Sequence, residues 1–351
     1  MRKKVLLGLI LSACLLSSPW PGMASAQNLE ILQVKDGIYA AIGKPGRVVG
    51  ANAAILLNEK GVLVVDTHIS PKAAEELASE IKKLTEKPIT EVINTHFHFD
   101  HTDGNQVFFP QALIIGHRDT REILLRSGLE KVEAFRKRRA TQLAEERKRL
   151  ASAHLDPAER EKAEGQIKFW EDFVKTVEEM KPTLKITPPN LTLDRTLTLY
   201  KGDREIQVSF FGRGHTSGDV VVYLPREKVL CSGDLLVSSG LPYMGDGFPS
   251  HWDATLAQIE RLDFDTLIPG HGPVVKGPEA KEMVKTFRRY LRDLVRQVGG
   301  FVRKGASLEK TLKGVTLPQY AKKFPNFQEG LPGNIERTYQ ELSQRAKERR
   351  K

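Results

Sequence analysis

Cysteine is nearly absent from this chain: Cys14 and Cys231 are the only two. If the N-terminal segment is removed, as argued below, Cys231 stands alone and no intramolecular disulfide can form. Stability then has to come from a packed core, which a chain of this length can bury. Low-complexity tracts are missing too, and 40% of the residues are hydrophobic, as in an ordinary globular protein. Charge is not one-sided either. The formal net charge is +10, and +7 without Arg2, Lys3 and Lys4. The excess lies in Arg118 to Lys185 and in Arg345 to Lys351, with acids interleaved. Such stretches read as solvated helix faces and a frayed terminus, the alternative being steering of anionic substrates or attraction to an anionic membrane.

Long apolar runs are scarce. Val5 to Leu16 is too short to span a bilayer in its own right. It follows the basic start Met1-Arg2-Lys3-Lys4 and precedes Ala24-Ser25-Ala26, an A-x-A cleavage signature before Gln27. The three parts read as a secretory signal peptide over residues 1–26, cleaved after Ala26, so the protein is expected to be periplasmic or secreted. The alternative is a lipoprotein box at Leu11-Ser12-Ala13-Cys14, and membrane association is expected only if Cys14 is lipidated.

What the chain does carry is concentrated in Thr95-His96-Phe97-His98-Phe99-Asp100-His101. Four metal-capable side chains fall in the pattern H-x-H-x-D-H. His96 and His98, two apart, leave an extended segment on one face. Asp100 and His101 follow as the chain turns and aim at a second point. Imidazole nitrogen and carboxylate oxygen are the donors that borderline divalent ions such as zinc prefer. Three more such residues lie on glycine-, serine- or proline-rich loops: His215 in Gly214-His215-Thr216-Ser217-Gly218, Asp234 in Ser232-Gly233-Asp234, and His271 in Pro269-Gly270-His271-Gly272. Each follows an apolar run that reads as a strand: Ile206 to Phe211, Lys228 to Cys231, and Thr266 to Ile268. Loops on a rigid scaffold are where functional side chains usually sit.

With Val64-Val65-Asp66-Thr67, these motifs resemble, in order, the landmarks of the metallo-β-lactamase superfamily, over about Asn28 to Gly277. The resemblance implies an α/β, four-layer αββα sandwich. It also implies two zinc ions, with iron or manganese as possible substitutes. One would be held by His96, His98 and His215, the other by Asp100, His101 and His271. Asp234 would bridge them beside a hydroxide, Asp66 would brace the ligand loop, and Asp100 would exchange protons. The implied activity is hydrolysis of an ester, thioester, lactone, lactam, phosphoester or sulfate ester of a small substrate. The family's zinc β-lactamases generally have cysteine or serine where Asp234 stands, so dedicated β-lactam hydrolysis is disfavoured. A β-lactamase and a mononuclear iron persulfide dioxygenase on the same fold stay as alternatives. The extra clamp domains of the family's nucleases are not found, so no nucleic-acid partner is expected.

The expected organisation is a signal segment (1–26), a metallo-β-lactamase-like domain (27–277) and a C-terminal helical extension (278–351). The domain opens with strands Leu32 to Gly37, Ile38 to Ile42, Asn52 to Asn58 and Gly61 to Asp66. A helix Pro71 to Leu84 follows, then strands Glu91 to Asn94 and Ala112 to Gly116. A charged helical hairpin is inserted at about 118–182, as Thr120 to Ser152 and Pro157 to Met180, with Asp156 as the cap of the second helix. Leu125, Leu129, Val132 and Phe135 form its expected apolar face. It reads as a lid over the metals or a dimerisation arm. The extension is expected as Pro278 to Val302, Leu308 to Leu312 and Ile335 to Leu342, with disorder from Arg345. Tyr243, in the loop leaving Asp234, and His68 are candidates for the substrate cleft. His117, His154 and His251 lack ligand-spaced partners and read as surface or supporting residues.

Overall fold

The computed structural model describes residues 28–152 and 156–348. The expected signal segment, Cys14 and His154 lie outside the described residues. Two sheets form the centre. The first has seven strands in sequence order: β1 (Leu29–Lys35), β2 (Ile38–Gly43), β3 (Ala53–Leu57), β4 (Val62–Val65), β5 (Ile89–Ile93), β6 (Leu113–His117) and β7 (Leu191–Leu193). It starts as an antiparallel meander and turns parallel from β4 onward. The second sheet holds β8 (Thr196–Lys201), β9 (Arg204–Ser209), β10 (Val221–Leu224), β11 (Val229–Gly233), β12 (Thr266–Pro269) and β13 (Val275–Lys276), in reverse order across the sheet. Only β11 and β12 pair in parallel there.

Helices cover both outer faces. They are α1 (Pro71–Leu84), α2 (Phe99–Thr102), α3 (Asn105–Phe108), α4 (Arg118–Ser152), α5 (Pro157–Met180), α6 (Pro249–Arg261), α7 (Pro278–Arg303), α8 (Leu308–Gly314) and α9 (Phe327–Glu348). All four residues of β4 are buried, because a strand between two covered faces has no wet side. Leu63 and Val65 point into the core between the sheets, shared with Ile206, Val208, Val222 and Cys231. Val62 and Val64 point outward onto Ala73, Ala74, Leu77 and Ile81 of α1. Beyond the second sheet, Val221, Tyr223, Leu230 and Leu267 share a third core with Trp252 of α6, Leu291 of α7 and Ile335 of α9. The layers are the αββα sandwich that the sequence leads one to expect.

The helical insert departs from expectation in one respect. Its two helices are α4 and α5, and Asp156 caps α5 with a capping box closed by Glu159. Ser127 breaks α4 with φ −148° and ψ 18°, and a Ser-Gly pair is a usual site for such a kink. Across the kink the expected apolar stripe fails: Leu125 and Leu129 are exposed, while Val132 is buried. Val132 and Phe173 pack with Val48, Ile69, Phe99 and Phe135. The base of the hairpin is thus docked on the H-x-H-x-D-H turn itself, with the Phe99 and Phe135 rings 5.1 Å apart.

The C-terminal helices are integral to the core. In α7, Val284, Phe287, Leu291, Leu294 and Val298 recur at spacings of three and four and are buried. The expected disorder from Arg345 is corrected by α9, which is helical to Glu348. Glu341 accepts hydrogen bonds from the Ser250 backbone (3.0 Å) and hydroxyl (2.7 Å), and Arg345 donates to the same hydroxyl, so the end of α9 is tied to the start of α6. Leu294→Ala should lower unfolding free energy by about 2–5 kcal/mol in urea titrations. A loss well under about 1 kcal/mol would mean that α7 is not part of the cooperative core.

Candidate metal centre

Five strands deliver the site residues at one edge of the sandwich. Asp66 follows β4, and the run His96 to His101 follows β5. His215 lies beyond β9, Asp234 follows β11 and His271 follows β12. Parallel pairing makes neighbours of residues distant in sequence. The Gly270 backbone donates to the Gly233 carbonyl at 3.0 Å, which sets His271 beside Asp234. The Asp66 backbone donates to the Ile93 carbonyl at 2.8 Å, which sets Asp66 beside Thr95.

Two groups result, each with ligand atoms within 4.8 Å of one another: His96, His98, His215 and Asp234, then Asp100, His101 and His271. All seven candidate ligands are therefore gathered. Asp234 lies between the groups, its oxygens 3.4 Å from Nε2 of His101, 3.4 Å from Nε2 of His215 and 3.5 Å from Nε2 of His271. His98 Nδ1 is 2.9 Å from His215 Nε2, and Asp100 Oδ2 is 3.1 Å from His271 Nε2.

The remote nitrogens of three imidazoles are engaged by protein. His96 Nδ1 meets Thr95 Oγ1 at 3.0 Å, His101 Nδ1 meets Asp66 Oδ2 at 2.8 Å, and His98 Nε2 meets Asp246 Oδ2 at 3.1 Å. Such contacts fix the ring and leave the other nitrogen free to ligate. His96 Nε2, His101 Nε2 and Asp234 Oδ1 are buried without a hydrogen bond. Buried polar atoms are rarely left so, and divalent cations fit this donor set.

Charge in the site follows from burial and crowding. Burial, helped by the neighbouring imidazoles, holds His96 well below its ordinary value, and burial lowers His215 to about 3. Both shifts favour the neutral ring that metal ligation requires. Burial alone would lower His271, but the Asp234 and Asp100 carboxylates outweigh it and raise the ring to about 10. Burial would raise Asp100, but His101 and His271 outweigh it and bring the carboxyl to about 2.

Asp66 has φ 61°, a strained backbone for any residue but glycine. Its carboxylate accepts from the Thr95 backbone and hydroxyl, each at 2.8 Å, besides meeting His101. Of the two cleft candidates, Tyr243 is 44% exposed with its ring 5.9 Å from that of His98. His68 is corrected: it is fully buried, because a left-handed backbone (φ 65°) turns the ring inward, where Nδ1 meets the Ala51 carbonyl at 2.7 Å. His117 is buried at the end of β6, and exposed His251 meets Glu341, away from the cluster. Sequence reasoning missed Thr95, Asp219 and Lys131. Asp219 accepts three hydrogen bonds from Thr216, beside His215, against burial that pushes its carboxyl up to about 6. Its place in Thr216-Ser217-Gly218-Asp219 was the only signal.

The model of the metallo-beta-lactamase superfamily matches residues 46–271. The chain belongs to that superfamily. It is 24% identical over 315 residues to a linear primary-alkylsulfatase from a Pseudomonas species, covering 81% of this chain and 53% of the relative, about half of that protein's length. It is 22% identical over 236 residues to a type 2 metallo-beta-lactamase of Bacillus cereus, covering 65% of this chain and 70% of the relative. Among solved structures, a metallo-beta-lactamase from Pontibacter korlensis matches with TM-score 0.53 and 19% identity, over 75% of this chain and 99% of that one. A Pseudomonas aeruginosa metallo-beta-lactamase solved in a mono-zinc form matches with TM-score 0.52 and 16% identity, over 75% and 95%. At these identities the two structures speak for the fold.

Gly270 offers a direct test of how tightly the site is built. A Cβ there would lie 1.9 Å from Asp234 Oδ1 and 2.8 Å from the Gly233 carbonyl carbon. Gly270→Ala should push the carboxylate aside and weaken divalent-metal affinity by about tenfold or more, with the far-ultraviolet circular dichroism unchanged. Equal affinity in calorimetric titration would show that Asp234 does not need its present position.

Proposed function

We propose that this chain is an exported, dinuclear zinc-dependent hydrolase of a small organic substrate. The observation that carries the reading is the convergence of two ligand groups on Asp234. His96, His98 and His215 would hold one ion, Asp100, His101 and His271 the other, and Asp234 would reach both. Iron or manganese would suit the same nitrogen and oxygen donors. When bound, such a pair supplies hydroxide at neutral pH and polarises the bond under attack.

The protein's own residues would do the rest. Asp66 and Thr95 hold the turn that carries His96 and His101. Asp100, partly exposed and hydrogen-bonded to His271, is placed to take up or return a proton at Oδ2. Tyr243 borders the cleft on the His98 side. The hydrolysed bond would be an ester, thioester, lactone, lactam, phosphoester or sulfate ester. The alkylsulfatase and β-lactamase relatives support a small-molecule substrate. Export rests on the signal signature of residues 1–26, with Cys14 lipidation as the alternative.

Native mass spectrometry of protein purified under native metal supply should find about two zinc ions per chain. Chelation should abolish hydrolysis and lower the melting temperature, and zinc should restore both. A single iron with no hydrolysis would instead support the oxygenase. Asp234→Ala should retain the fold, lose the second ion and cut turnover by at least about 100-fold, the scale on which even outer contacts of metal sites act. Full retention of metal and rate would remove Asp234 from the centre. Tyr243→Phe tests the cleft assignment: an unchanged kcat/KM on a responsive substrate would sink it.

A further inference from the structure

The docked insert presents charge to the cleft. Lys131, Phe135 and Arg138 are spaced i, i+4, i+7 on α4 and so share one face. All three meet residues around the metal centre. Lys131 Nζ is 2.9 Å from Asp246 Oδ1, whose other oxygen holds His98, and lies 4.7 Å from the Phe97 ring centre. Phe135 seats the helix on Phe99. Arg138 meets the cleft candidate Tyr243. Its guanidinium stacks 5.3 Å from the rings of both Phe135 and Tyr243, and it donates to the Tyr243 hydroxyl at 3.3 Å.

The two cations are not equivalent. Asp246 neutralises Lys131. Arg138 is exposed and has no acidic partner among the described residues, so its charge is uncompensated. The place of Tyr243 is also prepared: a Cβ at Gly245 would lie 1.9 Å from the Tyr243 hydroxyl oxygen, so glycine leaves room for the phenol to fold back beneath Arg138. A guanidinium set over aromatic rings, with one donor on the Tyr243 hydroxyl, still has further N–H donors for an anionic oxygen. A mere solvated helix face does not place an unpaired arginine two ring contacts from a proposed metal ligand.

We propose that Arg138, positioned on Tyr243, anchors an anionic group of the substrate, so that the insert selects anionic or amphiphilic anionic substrates. The proposal rests on the hydrolase reading for what happens to the anchored molecule, but anion binding itself does not depend on turnover. The anion can be a carboxylate, a sulfate or a phosphate, and the test separates them.

Hexanoate, hexyl sulfate and hexyl phosphate would be titrated calorimetrically into the zinc-loaded full chain, with hexanol as the uncharged control. At least one anion should bind in preference to hexanol. Arg138→Met should weaken that anion by about tenfold or more, the scale of a lost hydrogen bond to a charged group. Arg138→Lys should recover part of the loss, and Gly245→Ala, which displaces Tyr243, should also weaken binding. Lys148→Met, which removes the same charge from the exposed far half of α4, should bind like wild type. Where a substrate carrying the preferred anion is turned over, Arg138→Met should raise KM more than it lowers kcat, with zinc content and melting temperature unaltered. The proposal is overturned if wild type prefers no anion, or if Arg138→Met binds all three as wild type does. Zinc content and hydrolysis of a panel of charged and uncharged esters, measured on the same wild-type protein, decide the hydrolase reading separately. Their failure leaves the anion result standing, and an anion failure leaves the hydrolase standing.

Discussion

The structure depends on a buried carboxylate set among imidazoles. Asp234 is enclosed at the ends of β11 and β12, with nitrogens of His101, His215 and His271 at 3.4–3.5 Å. Gathering so many charge-bearing groups out of water is costly unless something neutralises them. Within the protein the carboxylates and imidazoles partly compensate one another: Asp234 and Asp100 are lowered, and His101 and His271 are raised. Donor atoms are nevertheless left over on His96, His101 and Asp234. A pair of divalent cations would answer both the charge and the unused donors.

The rest of the fold serves that cluster. Parallel pairing of β4 with β5 and of β11 with β12 aligns strand ends, so loops far apart in sequence open at one edge. Glycine lets the loops close. Gly214 is held against Leu235 and Trp252, and Gly270 against Asp234, at distances that leave no room for a Cβ. Behind the loops, Asp66, Thr95, Asp219 and Asp246 hold the ligand segments through short hydrogen bonds. The insert joins this support from outside, reaching His98 through Lys131 and Asp246. Its base docks on Phe99, in the turn that carries the candidate ligands.

The candidate ligands were legible because each is a metal-capable residue on a loop after an apolar strand, and because metal coordination tolerates few residue types. The αββα architecture was legible for a similar reason: strands such as Val62–Val65 are apolar throughout, which marks burial on both faces. What escaped was set by tertiary contact. The exposure of Leu125 and Leu129 follows from the kink at Ser127, which a helical repeat does not reveal. The order at Arg345 comes from Ser250 and Glu341, ninety-odd residues apart in sequence. His68, a candidate for the substrate cleft, has a left-handed backbone that turns its ring inward, which the sequence does not reveal. The β8 strand, Thr196-Leu197-Thr198-Leu199-Tyr200-Lys201, does carry a strand-like alternation in its sequence. The basic insert looked like a solvated face, and only packing separates Arg138 from its many neighbours of the same charge.

The central claim is that two ions flank Asp234. Anomalous X-ray diffraction at the zinc absorption edge, on crystals of the zinc-loaded protein, tests it most directly. The account predicts two peaks, one among His96, His98 and His215 and one among Asp100, His101 and His271, with Asp234 between them. A single peak with the second group empty at saturating zinc would contradict it.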